Sequence, residues 1–224
     1  MFQCCNMKYS EIRGKHVIDK NGEKVGHIID CIIDISNNKI ALKHLILGGG
    51  FIEELLESIG AKPDLDPVVN IEDLDTISDE VHLLVNKESL KKTIDPGIFC
   101  ETDLKFGDIS KLDIKDSDGL KLGHVMDLWF DLKSRLWLVV GGGFFEELLE
   151  KLHAQPDIDL LIPMDFINGI TPKNISLDKS KFELESTCQD EFERMKKVLA
   201  ERKAEGASEL PQIRLGSASG MRLR

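Results

Sequence analysis

Residues 48–57 read GGGFIEELLE and residues 141–150 read GGGFFEELLE, a difference of one position. A glycine triplet before a short helix is one way to cradle a phosphate, because free backbone N–H groups and the positive end of the helix dipole meet there. Such a cradle usually adds a Lys or Arg and a Ser or Thr. Here the triplet is followed by Phe and then, within two positions, by paired glutamates that already satisfy the dipole and repel an anion. No G-x-x-x-x-G-K-[ST] or G-x-G-x-x-G spacing occurs. The triplet therefore predicts a sharp strand exit. The residues after it predict a short amphipathic lid, with Phe51, Leu55, Leu56 and Ile59 on its apolar face in one copy and Phe144, Leu148, Leu149 and Leu152 in the other. Gly60 ends the first lid; His153 stands at the corresponding place in the second, so a different ending is expected.

Other residue pairs could also do chemistry. His27 and His124 recur at equivalent places and could share a metal only if the fold brought them together. Asp30 and Asp34, and again Asp127 and Asp131, lie four apart on one strand face, a spacing open to acid–base work. No nucleophile or cleft signal accompanies them, and solubilising carboxylates explain them as well. DKNG and DSDG resemble fragments of a calcium loop, but Gly comes too early and no Glu closes the loop. Asp64, Asp66, Asp157 and Asp159 leave only a weak cation site open. The five cysteines are scattered and form no C-x-x-C pair, which fits reduced thiols. No catalytic residue, cofactor or metal ligand is assigned.

The elements that would position these residues repeat. At an offset of 97, MKYSEI (7–12) aligns with LKFGDI (104–109), and Gly22, Gly26, His27, Asp30 and Asp34 meet Gly119, Gly123, His124, Asp127 and Asp131. The offset then falls to 93, where the glycine triplets align and AKPDLD (61–66) meets AQPDID (154–159). A shorter hairpin in the second copy accounts for the change. Asn21-Gly22 and Asp118-Gly119 are tight-hairpin signals. The long strand after each turn alternates, which predicts His27, Ile29, Cys31 and Ile33 inward with the Asp residues outward; His124, Met126, Leu128 and Phe130 inward in the second copy; and a bulge or corner at Gly26 and Gly123. Beyond the repeats, Phe182, Leu184, Cys188, Phe192, Met195, Val198 and Leu199 recur at helical spacing, predicting a helix over about 186–205 capped by Ser186 and Gln189. The small, polar stretch that follows is expected to be disordered.

The motif carried by Gly22, Val25, Gly26, Ile28, Asp30 and Asp34, and again by Gly119, Leu122, Gly123, Val125, Asp127 and Asp131, resembles the PRC-barrel domain. IPMDFINGI (162–170) is similar to the family's strand and short turn, and the GGGFxEELLE helix looks like the form of archaeal members. The resemblance implies small, partly open β-barrels and protein–protein assembly without catalysis. Relatives include the cytoplasmic domain of the photosynthetic reaction-centre H subunit, the C-terminal domain of a ribosome maturation factor and archaeal proteins, some acting in cell division.

The expected architecture is mainly β: barrels at 7–99 and 104–180, each with a short helical insertion, a C-terminal helix within 181–205, and a disordered tail at 206–224; the separate pieces 1–100 and 101–180 are each expected to unfold cooperatively. The net charge of −11 argues against nucleic-acid binding. No apolar run approaches the ~20 residues that span a bilayer, and MFQCCN lacks the features of a secretion signal, so a cytoplasmic location is expected. The expected partners are proteins, with cell-division or membrane-complex components as the specific form; homo-oligomerisation is left open. Trp129, read as outward-facing, with Trp137, Phe145, Arg214, Arg222 and Arg224, are the candidate partner-binding residues. One rival reading is an accessory factor of ribosome or RNA maturation that binds a ribosomal protein. Another is a small-ligand or metal-binding protein, which needs a pocket of converging polar groups.

Overall fold

The computed structural model describes residues 6–35, 40–49, 66–130, 135–154, 158–203 and 212–216. The first part of the chain forms β1 (Met7–Lys8), α1 (Tyr9–Ile12), β2 (His16–Ile18), β3 (Lys24–Asp34), β4 (Ala41–Gly48), β5 (Pro67–Asn70), β6 (Leu74–Ile77), β7 (Val81–Leu83) and β8 (Lys91–Lys92). The second forms β9 (Asp103–Lys105), α2 (Phe106–Ile109), β10 (Asp113–Lys115), β11 (Lys121–Phe130), β12 (Leu136–Gly141), α3 (Gly143–Lys151), β13 (Asp159–Pro163), β14 (Ile167–Ile170) and β15 (Asn174–Leu177). A long helix, α4 (Lys181–Lys203), and a last strand, β16 (Gln212–Arg214), complete it.

The strands make two eight-stranded sheets of corresponding order. One runs β6-β7-β2-β3-β4-β5-β8, with β9 paired to β3; the other runs β14-β15-β10-β11-β12-β13-β16, with β1 paired to β11. The predicted turns form as expected: Gly22 and Gly119 sit at φ +83° and +82°, where glycine is unstrained. Beside Gly26 the pairing jumps from Val17↔Gly26 to Ile18↔Lys24, and beside Gly123 it jumps from Ile114↔Gly123 to Lys115↔Lys121. Each jump is the expected bulge, placed one residue before the glycine.

The alternation expected along β3 and β11 holds at Cys31, Ile33, Leu128 and Phe130, which are buried, and fails elsewhere along the two strands. Ile28 and Val125 are fully buried, His124 and Met126 are exposed, and Asp127 is buried. The physical reason is visible on β3, where the register against β4 shifts again between Ile28 and Asp30. Each bulge adds a residue and reverses which parity faces the core.

By compactness the chain divides into two units that do not follow the repeats. The first comprises Met1–Ile109 with Trp129–Leu136, the second Ser110–Leu128 with Trp137–Arg224. Inside the first unit the opening segments of the two repeats are exchanged. Met7 and Lys8 pair with Phe130 and Trp129, while Leu104 and Lys105 pair with Ile33 and Ile32, the equivalent positions at the offset of 97. Equivalent rings, Tyr9 and Phe106, meet with centroids 4.6 Å apart. Tyr9, Ile12, Ile109, Trp129 and Phe130 are all buried by this arrangement.

The second unit carries α4. It begins at Lys181, five residues before the expected start, because its capping box is Ser180 and Glu183 rather than Ser186 and Gln189. The Ser180 N–H donates to Glu183 Oε2 at 2.8 Å and the Glu183 N–H donates to Ser180 Oγ at 3.3 Å. Leu184, Cys188 and Phe192 form its buried stripe. The tail expected to be disordered contributes β16, which pairs parallel to β13 and buries Ile213 completely; Leu215, just past its end, is also buried. Two apolar side chains in a period-two pattern, each contributing about 1.5–3 kcal/mol on burial, offset the ordering of so short a strand.

Candidate functional site

The residues that looked most chemical are engaged in holding the fold. Asp19, first residue of DKNG, is 3% exposed. Its Oδ1 accepts from the N–H groups of Asn21 at 2.8 Å and Glu23 at 2.9 Å, and its Oδ2 from the N–H of Lys87 at 3.2 Å. Asp116, first residue of DSDG, repeats this: Oδ1 accepts from Asp118 and Leu120, and Oδ2 from the N–H of Lys181 at the start of α4. Both are turn anchors that reach across to the segment just past a strand of their repeat, β7 for Asp19 and β15 for Asp116. Sequence reasoning missed the role, though the Asp three residues before the turn glycine was its signal. Asp116→Ala removes the acceptor of three N–H groups; we expect it to cost about 1–3 kcal/mol, measured by urea unfolding.

Desolvation would raise the Asp19 carboxyl, but the three N–H donors, led by that of Glu23, hold it below its ordinary value. Glu183 is lowered by Ser180, and Glu185 by its ion pair with Lys151. A carboxylate whose folded pKa is depressed stabilises the fold above its unfolded value and loses that contribution as the pH falls. Burial, reinforced by the nearby Lys43 charge, also lowers His44. A histidine kept neutral loses its contribution as the pH drops below its unfolded value, about 6.5. Thermal melts are expected to show a gentle decline below about pH 6.5 and a steeper one below about pH 4.5. The steeper limb should flatten in Asp19→Asn with Glu183→Gln.

The repeated histidines pack on glycines. A Cβ on Gly49 would lie 2.5 Å from the His27 ring, and one on Gly142 would lie 2.8 Å from the His124 ring. Gly142 and Gly143 take φ +70° and +51°, and a Cβ on Gly143 would meet the Leu122 carbonyl at 2.9 Å. The second triplet is thus a strand exit pressed against β11. Asp30 and Asp127 accept the N–H of the following residue, Cys31 or Leu128, each at 2.8 Å. Among the described residues no group of three or more His, Cys, Asp or Glu is placed to hold a metal. Burial pushes the Cys188 thiol up to about 12, far from a nucleophile at neutral pH.

The helix after the second triplet has Phe144 and Leu148 of its expected apolar face buried and Leu149 and Leu152 half-buried, while Phe145 is fully buried and Glu146, Glu147 and Glu150 are exposed. It ends at His153, which takes φ +52°, the left-handed conformation a glycine would supply. The first GGGFIEELLE falls outside the described residues apart from Gly48 and Gly49.

The candidate contact residues are not where exposure would put them. Trp129 is 2% exposed, Trp137 6% and Phe145 0%. Trp129 faces β1 and donates from Nε1 to Asn6 Oδ1 at 3.3 Å, so its expected outward placement is corrected. Phe145 fills the space over Gly123, where a Cβ would meet its ring at 2.8 Å. Trp137 lies beneath Arg214, whose guanidinium carbon is 5.8 Å from the ring centre. Arg222 and Arg224 lie outside the described residues.

What the second unit does expose is a cleft of about 460 Å³ at the start of α4, between Asp116, Asp118, Leu120, Lys181, Phe182 and Glu185. Its polar groups are largely occupied. Asp116 holds the turn, Glu185 pairs with Lys151, and the Lys181 ammonium sits 4.8 Å from the Phe144 ring centre. Leu120 and Phe182 remain, 51% and 78% exposed. This is a surface for contact rather than for proton transfer.

A family model described as the PRC-barrel domain matches residues 6–90 and again residues 101–187. A search of the curated proteins finds no match to the chain.

Proposed function

The chain belongs to the PRC-barrel family, with two domains in tandem, and from that premise we propose that it is a non-enzymatic adaptor that assembles other proteins. Family members commonly mediate protein–protein contacts and are generally non-catalytic. The observation that carries the reading is the fate of the repeated polar residues. Asp19, Asp116, Asp30 and Asp127 each bind backbone N–H groups of their own fold. These chemistry-bearing side chains thus serve the scaffold, while large apolar side chains such as Leu120, Met126 and Phe182 stand exposed. In its specific form the reading is an archaeal, cytoplasmic component of a cell-division or membrane-associated complex. No helix among the described residues is long and apolar enough to cross a membrane. The net charge of −11 favours protein over RNA as the bound class. Crosslinking in the native cell tests this: protein adducts that survive nuclease are expected, and adducts consisting mainly of RNA would favour the maturation-factor reading.

A further inference from the structure

We propose that the outer edge of β13 is a strand-acceptor groove for an extended hydrophobic–basic–hydrophobic segment of a partner protein, held closed by the chain's own β16. The proposal rests on the adaptor reading and specifies the chemistry of the partner. The chain's own segment displays what the groove takes. Ile213 and Leu215 are both 0% exposed, and between them Arg214 lies over the Trp137 ring. The ladder runs parallel, with Asp159, Leu160 and Leu161 opposite Gln212, Ile213 and Arg214, and the Leu215 N–H donates to the Leu161 carbonyl at 3.0 Å. Two apolar sockets on one face of the strand alternate with an aromatic ring on the other that receives a cation.

Three features make β16 a replaceable occupant. First, it covers only part of the edge. β13 runs Asp159–Pro163, but the pairing with β16 ends at Leu161. The chain then turns away at Gly216, φ +72°, where a Cβ would meet the Phe166 ring at 2.9 Å. A longer strand would add pairing that β16 does not make. Second, the corresponding edge in the other repeat, β5, is covered by β8 in the opposite direction, Pro67 against Lys92 and Val68 against Lys91. This edge of the repeat accepts a short strand in either direction, as backbone pairing allows. Third, only eight residues lie between the end of α4 at Lys203 and the start of β16 at Gln212. A short tether gives an effective concentration of the order of millimolar, which a partner segment binding at micromolar strength or better can overcome. The acidic chain attracts a basic segment to the edge and slows its escape.

The probe is a fluorescent peptide of residues 209–216, ELPQIRLG, titrated into the full chain and into the full chain carrying Ile213→Ser and Leu215→Ser. The substituted chain is expected to bind the peptide at least tenfold more tightly than the unaltered chain, and neither should bind a peptide with serine at those two positions. A folded variant that fails to bind, or one that binds no better than the unaltered chain, overturns the proposal. So does a chain that dimerises by exchanging 212–216 and leaves the peptide unbound. Hydrogen exchange on the unaltered chain decides the matter should the variant not fold. The Leu215 amide is expected to exchange at least tenfold faster than the β12 amides, and exchange only at their rate would overturn the proposal. If the groove fails these tests while the chain still captures proteins, the adaptor reading stands without it.

Discussion

Cut between Phe99 and Asp103, the chain is expected to lose cooperative folding of its first unit, and mixing the two pieces is expected to restore it. The cut follows the repeat boundary but crosses the exchanged segments. It detaches β9, α2 and the Trp129–Leu136 stretch from the unit they complete. Left behind, Tyr9 loses the Phe106 ring, β3 regains an open edge along Ile32–Asp34, and Met7–Lys8 loses its β11 partner. Each large apolar side chain returned to water costs about 1.5–3 kcal/mol, and several such losses reach the 5–15 kcal/mol that holds a typical domain together. Thermal melts of 1–101, of 102–224 and of the equimolar mixture make the check. The two-domain expectation read from the repeat had each half folding alone. Two separate cooperative melts near the parent midpoint would restore it and refute the exchange as a stability determinant.

Trp129→Ala is expected to destabilise the chain by about 3–5 kcal/mol, the range for truncating a buried tryptophan. The side chain is 2% exposed and its indole N–H is held by Asn6. Residue 129 stands in the second repeat but packs in the first unit, so the loss should fall on the unfolding of residues far from it in sequence, including Tyr9 and Ile12. Phe182→Ala provides the contrast. At 78% exposure it should change stability by no more than about 0.5 kcal/mol. Urea unfolding of both variants separates the cases. A Trp129→Ala change under 1 kcal/mol would mean the ring is not packed as described.

The repeat, the mainly β architecture, the tight turns at Gly22 and Gly119 and the bulges beside Gly26 and Gly123 were legible because each depends on local chemistry. Glycine is needed where φ is positive or where the backbone approaches closely, and both copies say so. What was not legible depends on partners distant in sequence. Trp129 shares a parity with Asp127, and alternation placed both outside. The strand β1 paired against the end of β11 covers the tryptophan that alternation exposed. The full anchoring role of Asp19 and Asp116 depends on third donors, Lys87 and Lys181, that lie more than sixty positions away. The tail read as polar and small, and the apolar, Arg, apolar alternation of Ile213–Leu215 is too short to be distinguished from coil without the β13 edge beside it. The start of α4 was misplaced because Ser180 and Glu183 and Ser186 and Gln189 both satisfy the capping pattern. Only Ser180 follows directly on the strand exit.

The most direct test of the adaptor account is quantitative affinity capture from the native cell, with the full chain as bait and nuclease treatment as the variable. The account predicts a small set of proteins enriched at constant ratio to the bait whether or not nucleic acid is digested. A capture dominated by RNA, or one whose proteins vanish on nuclease treatment, would contradict it.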